Sequence, residues 1–116
     1  MTAVVTARDE ALSVTFGALA DPTRRVILAR LAESDSTVNE LAALFPAISL
    51  QAVSKHLKVL ERAGLVTRGC TAQQRPAHLR GEPLAEPNAW LAHYRSFYEG
   101  SLDRLGEHLA ELQQAR

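Results

Sequence analysis

Apolar residues recur at helical spacing along most of the chain, and short polar breaks divide the pattern into elements. Leu12, Phe16 and Leu19 step by four and three, which predicts a first helix. Asp21-Pro22 then restarts the chain. Asp accepts backbone N–H groups at an N-cap, and Pro suits the first helical position. Ile27, Leu28 and Leu31 form the next stripe, which dissolves in the polar run Glu33 to Ser36. Thr37-Val38-Asn39-Glu40 fits a capping box and opens a short third helix through about Leu44, stopped by Pro46. Ser49 caps a fourth helix whose inner face is Val53, Leu57 and Leu60, and Gly64 stands where a left-handed residue ends a helix. Leu65 to Cys70 favours extended chain, with Arg75 to Arg80 as its returning partner and Pro76 confining that partner to an edge. Gly81, Pro83 and Pro87 mark a linker. From about Pro87 to Gln114 the pattern is helical again, through Leu91, Tyr94, Tyr98, Leu102, Leu105, Leu109 and Leu112.

The predicted order is α-α-α-α-β-β-α, mainly α with a small β-hairpin. Two short helices, a tight turn and a hairpin make a winged helix-turn-helix. The 116 residues allow one domain, 1–116, with its core over about 16–82 and a C-terminal helix over about 87–114. Such a helix is about 40 Å long at about 1.5 Å per residue, more than a domain this small covers by itself. The surplus stripe, with Trp90 and Phe97 beside it, packs on a second copy or bends around its own core. The prevalence of closed two-fold dimers favours the second copy.

Composition narrows the class. At 47% hydrophobic and 22% charged the chain is globular. One Cys excludes an intramolecular disulfide framework and a multi-Cys zinc module. No apolar run approaches the roughly 18 residues of a membrane span. MTAVVTARDE lacks the basic-then-apolar order of a secretory signal, so the expected location is cytoplasmic.

The formal net charge is +0, from 13 basic and 13 acidic residues, which at first argues weakly against nucleic acid. The distribution argues otherwise. Residues 49–80 hold Lys55, Lys58, Arg62, Arg68, Arg75 and Arg80 against Glu61 alone, a local +5 balanced by −5 elsewhere. The positive charge gathers on the second helix of the motif and the wing, where a phosphate backbone would lie. With Val53, Leu57 and Leu60 inward, Leu50, Gln51, Ser54, Lys55 and Lys58 lie on or near the open face. Gln51 offers a donor and an acceptor to a base such as adenine, and the lysines suit guanine acceptors or phosphates. Ser49 and Ser54 are short phosphate donors near a helix N-terminus, and Leu50 suits a thymine methyl. The alternative for this face is plain solvation.

ALADPTRRVIL, VNELAALF, SLQAVSKHLKVLERAGLV, the wing AQQRP and WLAHYRSFYEGSLDRLGEHL resemble the ArsR/SmtB family of winged-helix repressors over about Phe16 to Leu112. The likeness is to a subgroup with SLxAVSKHL and AQxRP motifs, often encoded beside SRPBCC-type ligand-binding proteins. It implies a homodimer joined through the first and last helices, which selects Phe16, Trp90, Tyr94, Phe97, Tyr98, Leu102, Leu105 and Leu109 as interface candidates. It also implies an inverted-repeat operator, repression and often control of the protein's own operon. The family's DNA-contact positions fall on Ser49, Leu50, Gln51, Ser54, Lys55 and His56, with Arg75 as the wing arginine. His56 borders the apolar face, so a packed histidine bonded to a phosphate or carbonyl competes with a base reader. Cys70 stands where the subgroup often has a basic residue.

Metal sensing, common in the family, finds too few ligands. In the stretch that matches the ELCVCDL motif, Ala42 and Leu44 occupy the thiolate positions. His108 and Glu111 reproduce the second half of a DxH…HxxE site, but Arg95 and Phe97 fall on the first half. Two ligands do not make a zinc site, so no metal and no cofactor are expected. Cys70 across the hairpin from His78 is a weaker redox candidate, against the reading of a small edge-strand residue. An effector pocket near the seam would be lined by Trp90 and Phe97, with plain core as the alternative. A protein-interaction module would show a more aromatic open face. No GxGxxG, P-loop, GxSxG or HExxH motif and no nucleophile–base pair points to an enzyme. The expected partners are double-stranded operator DNA and a second copy of the chain, without a membrane.

Overall fold

The computed structural model describes residues 4–69 and 75–114, apart from the side chains of residues 101–103. Four helices come first: α1 (Ala7–Leu19), α2 (Pro22–Glu33), α3 (Val38–Ala42) and α4 (Leu50–Arg62). Strands β1 (Val66–Arg68) and β2 (Ala77–Leu79) follow, then a 3-10 turn (Glu82–Leu84), α5 (Ala85–Ala92) and α6 (Arg95–Gln114). The chain divides into two compact units, one up to Ala85 and one from Glu86 on.

Local chemistry explains where the first four helices begin. Thr6 and Asp9 form a capping box at α1, and the Thr6 bonds hold the Asp9 carboxyl below its ordinary range. Asp21 accepts from the Thr23 and Arg24 N–H groups at 2.8 and 3.3 Å, with Pro22 at the first position of α2. Thr37 and Glu40 bond each other's backbone N–H at 3.2 Å, as the sequence predicts. The Ser49 hydroxyl oxygen accepts from the Ala52 N–H at 3.1 Å. After α4, Gly64 takes φ +77°, a region that costs a residue with Cβ.

The core of the first unit is Ile27 and Leu31 of α2, Leu41 of α3, Val53, Leu57 and Leu60 of α4, then Leu65, Val66 and Ala77 of the hairpin, with Ala18 of α1. Full burial of each large aliphatic side chain contributes about 1.5–3 kcal/mol.

The hairpin is antiparallel, pairing Val66 with Leu79, Thr67 with His78 and Arg68 with Ala77. Thr67, not Cys70, therefore lies opposite His78, because the Gly69 N–H donates to the Pro76 carbonyl at 2.8 Å and sets the register. Cys70 itself lies outside the described residues. A Cβ at Gly69 would stand 3.1 Å from Pro76 Cδ, tighter than an ordinary contact, so a side chain here would press the proline ring back by a few tenths of an ångström. Ser36 adds an isolated antiparallel bridge to Ala77, exchanging hydrogen bonds of 2.8 and 3.2 Å. The wing is thereby tied to the segment after α2.

Two predicted features differ. The linker around Gly81 and Pro83 contains the 3-10 turn and leads directly into α5. Pro87 falls in the first turn of α5, where an absent N–H leaves no helical bond unmade. The single helix predicted over 87–114 is two. At its break, His93 and Tyr94 donate to Trp90 and Leu91, three residues back rather than four. No glycine or proline marks this tightening, and the apolar stripe runs through it.

Candidate nucleic-acid interface

Seven residues (43–49) separate α3 from α4, and Leu44, Phe45 and Ile48 donate backbone bonds three residues back through this turn. The turn presents the N-terminal half of α4 to solvent. Ser49, Leu50, Gln51, Lys55 and Lys58 are exposed, Ser54 and His56 are half-buried, and Val53 and Leu57 face the core. Gln51, Ser54, Lys55 and Lys58 follow helical spacing, so they share one side of α4. The Ser49 oxygen caps α4 and its hydroxyl hydrogen remains a donor. Free N–H groups in the first turn add positive potential beside it.

His56 is held. Its Nδ1 lies 3.1 Å from Arg24 Nη1. A guanidinium only donates, so Nδ1 accepts and the ring hydrogen sits on Nε2. Arg24 also donates from Nε to the Ala18 carbonyl at 2.7 Å and from Nη2 to the Gly17 carbonyl at 3.1 Å. Arg25 donates to the Leu19 carbonyl at 2.8 Å. The two arginines of α2 thus cap the carbonyl end of α1. Sequence reasoning missed them; the signal was an α1 with no glycine after Leu19, followed at once by Arg24-Arg25. Burial pushes the Asp21 carboxyl up, but the Arg24 and Thr23 N–H bonds and nearby positive charge outweigh it and hold it below the ordinary range.

On the wing, Arg75 is exposed and donates from Nε to the Gly69 carbonyl at 3.2 Å. Arg68 donates from Nε and Nη2 to the Arg75 carbonyl at 3.1 and 2.9 Å, bracing the hairpin from the facing strand. His78 Nδ1 lies 2.8 Å from Asp35 Oδ1, a second tie between wing and body that sequence spacing does not reveal. Arg80 pairs with Glu82 at 3.4 Å, and backbone and Arg80 bonds hold the Glu82 carboxyl below its usual range.

The second unit exposes apolar residues. Trp90, Leu91, Tyr94, Phe97, Tyr98, Leu105, Leu109 and Leu112 are each between 43% and 71% exposed. Trp90 and Tyr94 rings stand 4.8 Å apart, and Tyr94 and Phe97 rings 6.4 Å. Phe16 on α1 is half-buried, and the Leu102 side chain lies outside the described residues. His108 and Glu111 both fall on α6. Among the described residues, no three His, Cys, Asp or Glu side chains gather to hold a metal ion.

Comparison with known proteins adds four findings. A family model described as a helix-turn-helix domain matches residues 19–69, which span α2 to β1. Over 75 residues, 60% of this chain and 82% of the relative, the sequence is 40% identical to YuzN of Bacillus subtilis, an uncharacterized HTH-type transcriptional regulator. The crystal structure of an ArsR family transcriptional regulator is 38% identical, with TM-score 0.70 over 78% of this chain and 92% of that one. The solution structure of a homodimeric winged helix-turn-helix DNA-binding domain from Mycobacterium bovis, 22% identical, shares the fold with TM-score 0.60 over 83% of this chain and 91% of that one.

Proposed function

Because the chain belongs to the ArsR family of DNA-binding transcriptional regulators, we propose that it acts as a dimeric repressor on an inverted-repeat operator. The observation that carries this reading is the exposed polar face of α4 within the basic segment 49–80. In it, α4 enters the major groove. Gln51, Ser54 and Lys55 meet base edges, with Leu50 against a thymine methyl. Ser49, Lys58 and His56 meet phosphates, and Arg75 follows the backbone from the wing. Bound protein blocks access to the promoter, and no group of the protein needs to do covalent chemistry.

The second copy is part of the proposal. The apolar face of Trp90, Tyr94, Phe97, Tyr98, Leu105 and Leu109, with Leu102 and with Phe16 of α1, forms the seam. Its support is the exposure of Trp90, Tyr94, Phe97, Tyr98, Leu105 and Leu109 in the single chain and the homodimeric state of the M. bovis neighbour. A two-fold dimer presents two copies of α4 to half-sites one helical turn apart. Among the described residues no helix is long and apolar enough to cross a membrane. On this reading the protein works in the cytoplasm, where its DNA partner is. An effector that releases DNA would sit at the seam beside Trp90 and Phe97.

The test is selection of duplexes from a random pool, followed by anisotropy titration of the enriched duplex and a scrambled control at several salt concentrations. The enriched duplex should carry an inverted repeat and bind at least about 10³ times more tightly than the control. Equal affinity for both ends the reading. Transcription from a template with the repeat across its promoter should fall as protein is added; a rise would make the protein an activator.

A further inference from the structure

We propose that Arg24, which lies outside the DNA-reading face, is a positioning residue for recognition: it locks the His56 imidazole and ties α4 to the carbonyl end of α1. The inference rests on the DNA-binding reading above. One guanidinium makes three bonds to two other helices, to the Ala18 and Gly17 carbonyls of α1 and to His56 Nδ1 of α4. Its backbone N–H is itself held by Asp21. Arg24 is half-buried, so these bonds are partly sheltered from competing water.

The planar fork sets three things at once. It makes Nδ1 the acceptor, which leaves Nε2–H as the donor that His56 can offer a phosphate. It fixes the ring plane. It also sets the roll of α4 relative to α1, because the same rigid group is bonded to both. His56 lies between Lys55 and Leu57, at the border of the exposed and buried faces. A change of roll there would move Gln51 and Lys55 together. Lysine at this position could not keep all three bonds in one plane.

The experiment is a double-mutant cycle on binding of the selected duplex. Arg24→Met should weaken that binding about 10-fold, since a bond from a charged donor is lost at the reading helix. Binding of scrambled DNA should change far less. In a His56→Ala background, Arg24→Met should have almost no further effect. Equal losses in both backgrounds would reduce Arg24 to a cap on α1 and overturn the proposal, as would no loss at all. A direct measurement on the wild-type protein covers the case in which Arg24→Met does not fold. A ¹⁵N–¹⁵N scalar coupling across the hydrogen bond should join Arg24 Nη1 to His56 Nδ1. Absence of that coupling with the proton found on Nδ1 rejects the clamp. Failure of the wild-type protein to prefer the selected duplex rejects the DNA-binding reading instead, and the coupling still decides whether the clamp exists.

Discussion

Leu57 and Leu105 both stand at helical spacing in apolar stripes, yet Leu57 is 0% exposed and Leu105 is 53% exposed. The first belongs to a unit that completes its core within one chain, from α2, α3, α4 and the hairpin. The second belongs to a helix pair on which Trp90, Leu91, Tyr94, Phe97, Tyr98, Leu105, Leu109 and Leu112 remain exposed in a single chain. The same periodic signal thus has two outcomes. Between Pro22 and Leu79, turns and caps return successive elements onto one another. From Arg95 to Gln114 one helix of 20 residues carries its stripe, and the large apolar side chains described on it stay exposed. An apolar stripe states that a surface must be covered; it does not state by what.

This contrast can be broken experimentally, starting with the largest effect. Leu57→Ala should cost about 2–5 kcal/mol in denaturant unfolding, because it empties a fully buried site. A cost below about 1 kcal/mol would mean that Leu57 does not stand in a close-packed core. Leu105→Glu should instead act on assembly, placing a charge in an apolar seam. Sedimentation should then show half the wild-type mass, with helical content largely kept. An unchanged mass would remove α6 from the interface.

Next come substitutions that leave both units folded. Gln51→Ala and Lys55→Ala should each lower the ratio of specific to scrambled affinity by about 10-fold, consistent with loss of a base contact of about 1–3 kcal/mol. If both variants keep the wild-type ratio, the open face of α4 does not read sequence. The smallest effect concerns acid. Folding holds the Asp21 carboxyl below its ordinary range, so its carboxylate stabilises the fold above the unfolded carboxyl pKa. That contribution is lost as pH falls below about 4 and through the folded pKa. Asp21→Asn should therefore narrow the difference in melting temperature between pH 5 and pH 3, and an unchanged difference would count against the carboxylate at this cap.

How much was legible follows from distance along the chain. The Thr37–Glu40 box, the Ser49 cap and the left-handed Gly64 each act within a few residues, and each is plain from residue type and spacing. The inward face Val53, Leu57 and Leu60 was legible for the same reason, and with it the composition of the open face. Arg24 and His56 are 32 residues apart, and Asp35 and His78 are 43 apart. No local pattern connects such pairs. The break at His93 and Tyr94 escaped for a different reason, since it changes hydrogen bonding without changing the apolar period.

The sequence by itself determined the first four helices, the caps of α2 to α4, the hairpin, the inner face of α4 and the concentration of positive charge between residues 49 and 80. These depend on backbone preferences and on periodicity, which are properties of neighbouring residues. Tertiary structure decided the hairpin register, the bridge from Ser36 to Ala77 and the bonds of Arg24 to α1 and α4. Those depend on which groups folding brings within about 3 Å of each other, a condition set by packing of the whole unit.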